Sequence, residues 1–163
     1  MIARRDASTT VTRGQTGAVL TAGDVVTLLA LSPHPEGGWF RETWRAAAPP
    51  GQRPAGTAIY YLLEAGQRSH WHRIDAAETW QFYAGDPLEL CVAAEGSPVA
   101  RCLLGPDLAA GHRPQLVVPA GAWQSALPLG RWTLVGCTVS PAFEFAGFEL
   151  APDGWEPAGV TPG

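Results

Sequence analysis

One residue separates His70 from His72, and five separate His72 from Glu78. If the segment is a strand, alternation puts both imidazoles on one face, with Glu78 on the next strand. Two imidazoles and a carboxylate meeting in an enclosed space suit two chemistries. They can hold a divalent first-row metal, or they can supply a base of near-neutral pKa beside a carboxylate. The spacing alone serves equally well for two half-exposed strand histidines and a turn glutamate. Burial against Trp80 and Phe82 would disfavour an imidazolium at His72, whereas nearby Glu78 would favour it.

Other rows could supply the rest of a pocket. Phe40, Glu42 and Trp44 alternate with Arg41, Thr43 and Arg45. A glutamate between two aromatics on an inward face would be a buried carboxylate of raised pKa. Ala122, Gln124 and Ala126 form another inward row, whose small residues leave room for a ligand beside Gln124. His34-Pro35-Glu36-Gly37-Gly38 is either a turn into the first strand, with glycines for unusual backbone angles, or a loop over a pocket mouth that contributes His34 or Glu36. Trp39, Trp71, Trp123 and Trp132 read first as core or subunit-contact rings, with Trp123 also a candidate against substrate. Tyr60, Tyr61 and Tyr83 are possible phenolic acids on strands that favour tyrosine in any case. His112 lies in a Gly/Pro loop and reads as solvated.

The elements that must position these side chains are short strands. Thr21 is a fitting N-cap for one short helix over about residues 22–30, ending before Ser32-Pro33. Period-two patterning then predicts a strand from Phe40 to Arg45, followed by Thr57–Leu63, Arg68–His72, Glu78–Tyr83, Leu88–Ala93, Val99–Leu104, Gln115–Val118, Ala122–Leu127, Trp132–Thr138 and Phe148–Leu150. Gly, Pro or Asp pairs separate most of them. Many short strands and one helix predict an all-β sandwich or barrel. Residues 1–18 read as a flexible tail, 19–157 as a single domain, and 158–163 as a C-terminal tail whose approach, through Pro152 and Pro157, adds no element.

Composition narrows the function. With 46% hydrophobic and 16% charged residues in 163, the chain is no disordered segment. A net charge of −4 without a basic cluster argues against nucleic acid. No run approaches the ~20 apolar residues of a membrane span, and Met1-Ile2-Ala3-Arg4-Arg5 lacks the apolar run of a secretory signal. Cys91, Cys102 and Cys137 have no CxxC spacing and read as reduced buried thiols. A cytoplasmic protein is expected. Seven tryptophans exceed core needs and predict a homodimer through Trp-rich strands of the N-terminal half.

The stretch from Gly66 through His70 and His72 to Glu78 and Gly85 resembles the first signature of the cupin superfamily. The His72–Glu78 gap is one residue longer than usual. Gly111 to Pro119-Ala120-Gly121 resembles the second signature, with Gln124 where a histidine is usual. A narrower resemblance, to the type 5 cupins, a family of unknown function, is carried by Leu31-Ser-Pro-His34-Pro-Glu36-Gly-Gly38-Trp-Phe40-Arg41-Glu42, Ile59-Tyr60-Tyr61-Leu62-Leu63, His72-Arg73, the Glu78–Gly85 block, Pro114-Gln115 to Trp123-Gln124, and Leu134–Val139 with Phe143 to Phe148. Many relatives carry His at the position of Gln81. The resemblance implies a double-stranded β-helix, the cupin jelly-roll barrel, often dimeric, with a pocket inside.

Within that barrel the leading expectation is a small-molecule enzyme of the isomerase or epimerase type, resembling cupins that epimerise sugars without metal. Proton transfer beside a carbonyl needs a base, an acid opposite, and a group that steadies the enolate. His72 is the expected base, Tyr83 or Glu42 the acid, and Arg73 or a metal the stabiliser. His34, Glu36, Phe40, Trp80, Phe82 and Trp123 would contact substrate. The alternatives are a metal-dependent oxygenase or lyase, with Fe, Mn, Ni or Zn on His70, His72, Glu78 and Gln124, weakly held or absent, and a ligand-binding barrel without catalysis.

Overall fold

The computed structural model describes residues 19–157, so both tails anticipated from the sequence lie outside the described residues. Helix α1 (Ala22–Leu29) opens on Thr21, whose hydroxyl accepts from the Asp24 N–H while the Asp24 carboxylate accepts from the Thr21 N–H. That reciprocal cap satisfies two donors the first turn would otherwise leave bare.

The strands follow as β1 (Ser32–Pro33), β2 (Trp39–Arg45), β3 (Thr57–Glu64), β4 (Ser69–Ile74), β5 (Ala77–Gly85), β6 (Leu88–Ala93), β7 (Ala100–Leu104), β8 (Gln115–Val118), β9 (Trp123–Pro128), β10 (Trp132–Ser140) and β11 (Phe148–Leu150). Two antiparallel sheets result, ordered β1-β2-β3-β10-β5-β8 and β11-β4-β9-β6-β7. This is the jelly-roll barrel expected. Between the sheets lie Tyr61, Leu63, Trp80, Leu88, Leu90, Leu104, Val118 and Val135.

β3 and β10 carry apolar side chains on both faces, and each face has a separate cover. Tyr61, Leu63 and Val135 point into the barrel, whereas Leu62 and Leu134 pack outward beneath Val25 and Leu31 at helix α1. A strand buried on both sides reads as a continuous apolar run instead of an alternating one. A third cluster lies on the outer side of the second sheet, where Trp71, Cys91 and Ala93 pack with Trp123 and Trp155. Trp155, in the trailing segment, belongs to no element yet sits 4.5 Å from the Trp123 ring, centroid to centroid.

Register shifts in β4 and β2 break the alternation expected near the site. Between Ser69 and His72, β4 advances three residues while β9 advances two, from Ala126 to Gln124. The bulge reverses which side chains face inward: His72 is buried and His70 is exposed. In β2 the register shifts between Glu42 and Trp44, leaving Trp44 51% exposed instead of inward beside Phe40. The row Ala122, Gln124 and Ala126 is buried as alternation predicts. Cys91 and Cys137 are buried free thiols, and Cys102 is half-buried.

Candidate active site

His34, Glu36, Phe40, Glu42, Arg45, Ile59, His72, Ile74, Glu78, Cys137, Val139, Phe143, Glu144, Phe145 and Phe148 line, with Thr57, a cavity of about 310 Å³. Its inner end is built from three segments: the His34–Gly38 loop, the β4 bulge, and the start of β5.

The loop folds into the barrel instead of lying over its mouth. The Gly37 N–H donates to the His34 carbonyl, and the His34 N–H to the Gly38 carbonyl, closing a tight turn. Gly37 has φ +105°, a conformation open to glycine at little cost. A Cβ there would also collide with the Arg68 backbone carbonyl. The Tyr61 hydroxyl donates to the Gly37 carbonyl (2.7 Å), and the His70 N–H donates to the Glu36 carbonyl (2.9 Å). Loop and bulge therefore hold each other, and the Glu36 side chain is driven inward.

His72 is 3% exposed. Its Nδ1 lies 2.8 Å from the His70 carbonyl, which only accepts, so Nδ1 carries the hydrogen. Nε2 then faces the Glu36 Oε2 at 3.2 Å. A bare ring nitrogen and a carboxylate oxygen this close need a proton between them. Burial pushes the Glu36 carboxyl up, against the lowering effect of His34 and the donor Ser69, whose hydroxyl lies 3.0 Å from Oε1. Burial likewise pushes His72 down, against the raising effects of Glu78 and the His70 carbonyl. Both shifts favour the neutral pair, with the proton on Glu36 and a lone pair on His72 Nε2. Burial lowers His34 as well, opposed by Glu36.

Glu78 is held from the other side. The Trp80 indole N–H is a donor only, and it lies 2.9 Å from the Gln124 Oε1. That contact fixes the amide's orientation, so the Gln124 NH2 points at Glu78 Oε2, 2.5 Å away. Burial raises Glu78; His72 first among the opposing influences, then the Gln124 contact, lowers it.

The expected site residues divide accordingly. His34, Glu36, Phe40, Glu42, His72 and Glu78 meet at the cavity. Glu42 is exposed at the mouth and paired with Arg45 (2.8 Å), not a buried carboxylate between aromatics. Trp80 and Gln124 sit one layer behind, and Phe82 packs against the core beside them without lining the cavity. His70 faces outward on the bulge. Tyr83 is 52% exposed and lies against Gly136 and Tyr60, on the opposite face of β5 from Glu78, which removes it as the acid. Arg73 stacks over Trp123 at 4.8 Å and pairs with Glu149, which removes both Arg73 and Trp123 from the cavity. His112 is half-buried against Gly105, with its Nδ1 unpartnered, instead of solvated. Sequence reasoning missed Arg45 and the supporting Ser69 and Cys137. It also missed the mouth formed by Phe143, Phe145 and Phe148, whose signal was present only as a block of spaced aromatics.

The donor set does not suit the metal the fold family implies. His70 is turned away, and Gln124 offers Glu78 its NH2 while its oxygen is taken by Trp80, leaving His72 and Glu78 of the expected four. Among the described residues no group of three or more His, Cys, Asp or Glu is arranged to hold a metal ion.

Known proteins place this architecture. A protein from Shewanella oneidensis is 39% identical, with 82% of this chain and 85% of that one covered and a TM-score of 0.78. A hypothetical protein from Leishmania major is 34% identical over 80% and 86% of the two chains, with a TM-score of 0.75. Oxalate decarboxylase of Bacillus subtilis shares the fold at 14% identity, over 72% of this chain and 29% of that one, with a TM-score of 0.58. No curated protein matches the sequence. The family model described as "Cupin superfamily (DUF985)" matches residues 23–151, which span the inserted loop, the bulged strand and the row containing Gln124, and the chain therefore belongs to that cupin family.

Proposed function

We propose that the protein is a small-molecule enzyme of the isomerase or epimerase type, moving a proton on a polar, carbonyl-bearing substrate inside the barrel. The observation that carries this reading is the buried His72–Glu36 contact, 3.2 Å between Nε2 and Oε2 at the wall of the cavity. His72 Nε2 takes a proton from the carbon beside the carbonyl, and Glu36, protonated in the resting pair, is the acid that returns one. The acid role moves here from Tyr83, which lies on the opposite face of β5, and from Glu42, which is exposed and paired with Arg45. The His70 carbonyl keeps the imidazole in one tautomer throughout and stabilises the imidazolium that forms, the service an orienting acceptor performs for a catalytic histidine. Phe40 and Phe148 narrow the space around the pair, lowering the local dielectric in which the proton moves.

The metal-dependent oxygenase or lyase reading finds less support. The Bacillus oxalate decarboxylase has Mn(II) centres, but the equivalent chemistry here would need donors that His70 and Gln124 do not present. Exchange of substrate C–H protons with deuterated solvent, followed by proton NMR over a panel of aldoses, ketoses and hydroxyketones, tests the proposal. Exchange should occur with EDTA present and vanish in His72→Ala. Exchange that EDTA abolishes, or that survives in His72→Ala, overturns it.

A further inference from the structure

The charge on the wall of the cavity bears on what it can accept, and the inference drawn from it rests on the reading of this cavity as a substrate site. Glu36 and Glu78 form the inner wall, and Glu144 stands at the mouth. Arg45 is the one guanidinium or ammonium among the lining residues, and it is already engaged. Its Nε and Nη2 bind both oxygens of Glu42 at 3.1 and 2.8 Å, and Nη2 also donates to the Phe143 carbonyl. The two imidazoles are disfavoured as cations by burial. An anionic ligand would therefore meet carboxyl groups without a free cation to receive it.

The remaining surface suits the opposite charge. The rings of Phe40, Phe143, Phe145 and Phe148 line the same space, and aromatic faces attract cations, most strongly where water is excluded. An ammonium seated between Glu36 and Glu78 would donate to the Glu78 carboxylate and to the carbonyl oxygen of the protonated Glu36 carboxyl, in hydrogen bonds assisted by its own charge. A second, independent feature lies on His34, whose side chain is only 8% exposed. Its Nδ1 accepts from the Glu36 N–H (3.3 Å), so in the neutral ring the hydrogen sits on Nε2. That nitrogen has no hydrogen-bond partner among the described residues, and it belongs to a side chain that lines the cavity. It is a donor free to meet a ligand's acceptor oxygen.

We propose that the ligand of this cavity is a small organic ammonium compound that also bears a hydroxyl or carbonyl oxygen, its nitrogen between Glu36 and Glu78 and its oxygen at His34. The carboxyl pair selects for charge, the phenylalanines for an apolar frame, and His34 for the oxygen. The cavity of about 310 Å³ has room for a frame of one ring with a short polar chain.

Three compounds of one skeleton test this on the full chain by isothermal titration at neutral pH and low salt: 2-amino-1-phenylethanol, 1-phenyl-1,2-ethanediol and mandelate. The amine should bind at least about tenfold more tightly than the diol, from the added cation–π and charge-assisted contacts, and mandelate should give no saturable heat. Glu78→Gln should reduce the amine's advantage over the diol at least about fivefold, since the anion that receives the ammonium is lost, whereas Glu36→Gln, which keeps a neutral carbonyl, should reduce it less. Glu78→Asp serves as a second variant, with a smaller loss, should the first fail to fold, and Glu95→Gln, on an exposed loop, should leave all three affinities unchanged. Equal binding of amine and diol, tighter binding of mandelate, no binding of the amine at millimolar concentration, or full selectivity in both glutamine variants overturns the proposal. These readouts are of binding, so they separate from the proton-transfer reading. A barrel that prefers the amine without exchanging any substrate proton defeats only the latter, and one that exchanges protons of neutral substrates with no charge preference defeats only the former.

Discussion

At the scale of single residues, the proposed chemistry depends on where one proton rests. His72 and Glu36 are both buried, and each is pushed toward its uncharged form. Truncating His72 removes the proposed base outright, so His72→Ala should lose a factor of about 10²–10⁴ in turnover, whereas His112→Ala, against Gly105 and outside the cavity lining, should retain it. Solvent exchange on a turned-over substrate measures both. The same burial makes Glu36 a stability determinant with a definite sign. Its folded-state pKa is raised above the ordinary 4.5, so the unfolded chain loses this proton more readily than the folded one. Stability from Glu36 is complete below the unfolded value and is lost as pH rises through the raised folded value. Glu36→Gln, which has no proton to lose, should gain in melting temperature relative to the native chain between pH 4 and pH 8. A difference that is flat or falls with pH would show that Glu36 is not raised. His72 and His34 act in the other direction, with lowered values whose stabilisation is present above 6.5 and fades as pH falls through the folded value.

At the scale of elements, the His72–Glu36 pair is assembled by two departures from regularity. The β4 bulge turns His72 in and supplies its carbonyl partner, and the His34–Gly38 turn carries Glu36 to meet it. Gly37 is the point on which both rely, with φ +105° and no room for a Cβ beside the Arg68 carbonyl. Gly37→Ala should destabilise the fold by more than about 1 kcal/mol. It should reduce activity further than the unfolded fraction accounts for, because Glu36 is displaced from His72. Denaturant unfolding alongside the exchange assay measures the two effects. Loss of activity in strict proportion to unfolding would mean that the turn supports the fold alone.

At the scale of the whole molecule, most tryptophans have uses within one chain. Trp80 is in the core, Trp71 packs with Trp123 and Trp155, and the Trp39 indole donates to Glu64. Trp44 is the exposed ring, and it lies on β2, which β1 covers only opposite Trp39 and Phe40. Arg41 to Arg45 thus present an open strand edge beside an exposed indole among the described residues, a surface suited to pairing with a second copy. The protein is expected to sediment at twice the chain mass of 17.2 kDa at micromolar concentration, and Trp44→Glu should shift it toward the monomer. A monomer in the unsubstituted chain would place β2 at a free surface.

Local features accounted for most of the elements. The Thr21–Asp24 cap, the turn residues between strands, and the apolar runs of β3, β6 and β10 depend on neighbours in the chain, and they predicted one helix and an all-β barrel close to the one observed. The motif around His72, Glu78 and Gln124 likewise brought the right segments to one place. Three features depended on contacts far apart in sequence, and only the tertiary structure decided them. His70 leaves the site because β4 pairs with β9 out of step, a mismatch visible in neither strand by itself. Glu36 enters it because the loop is tied to β3 and β4, through Tyr61 and His70, and its carboxyl gains meaning from burial that no local pattern displays. Gln124 turns its amide nitrogen toward Glu78 because an indole from β5 can only donate. Residue types and spacing place side chains near one another, but whether each offers a lone pair or a proton is set by the hydrogen bonds it makes once desolvated.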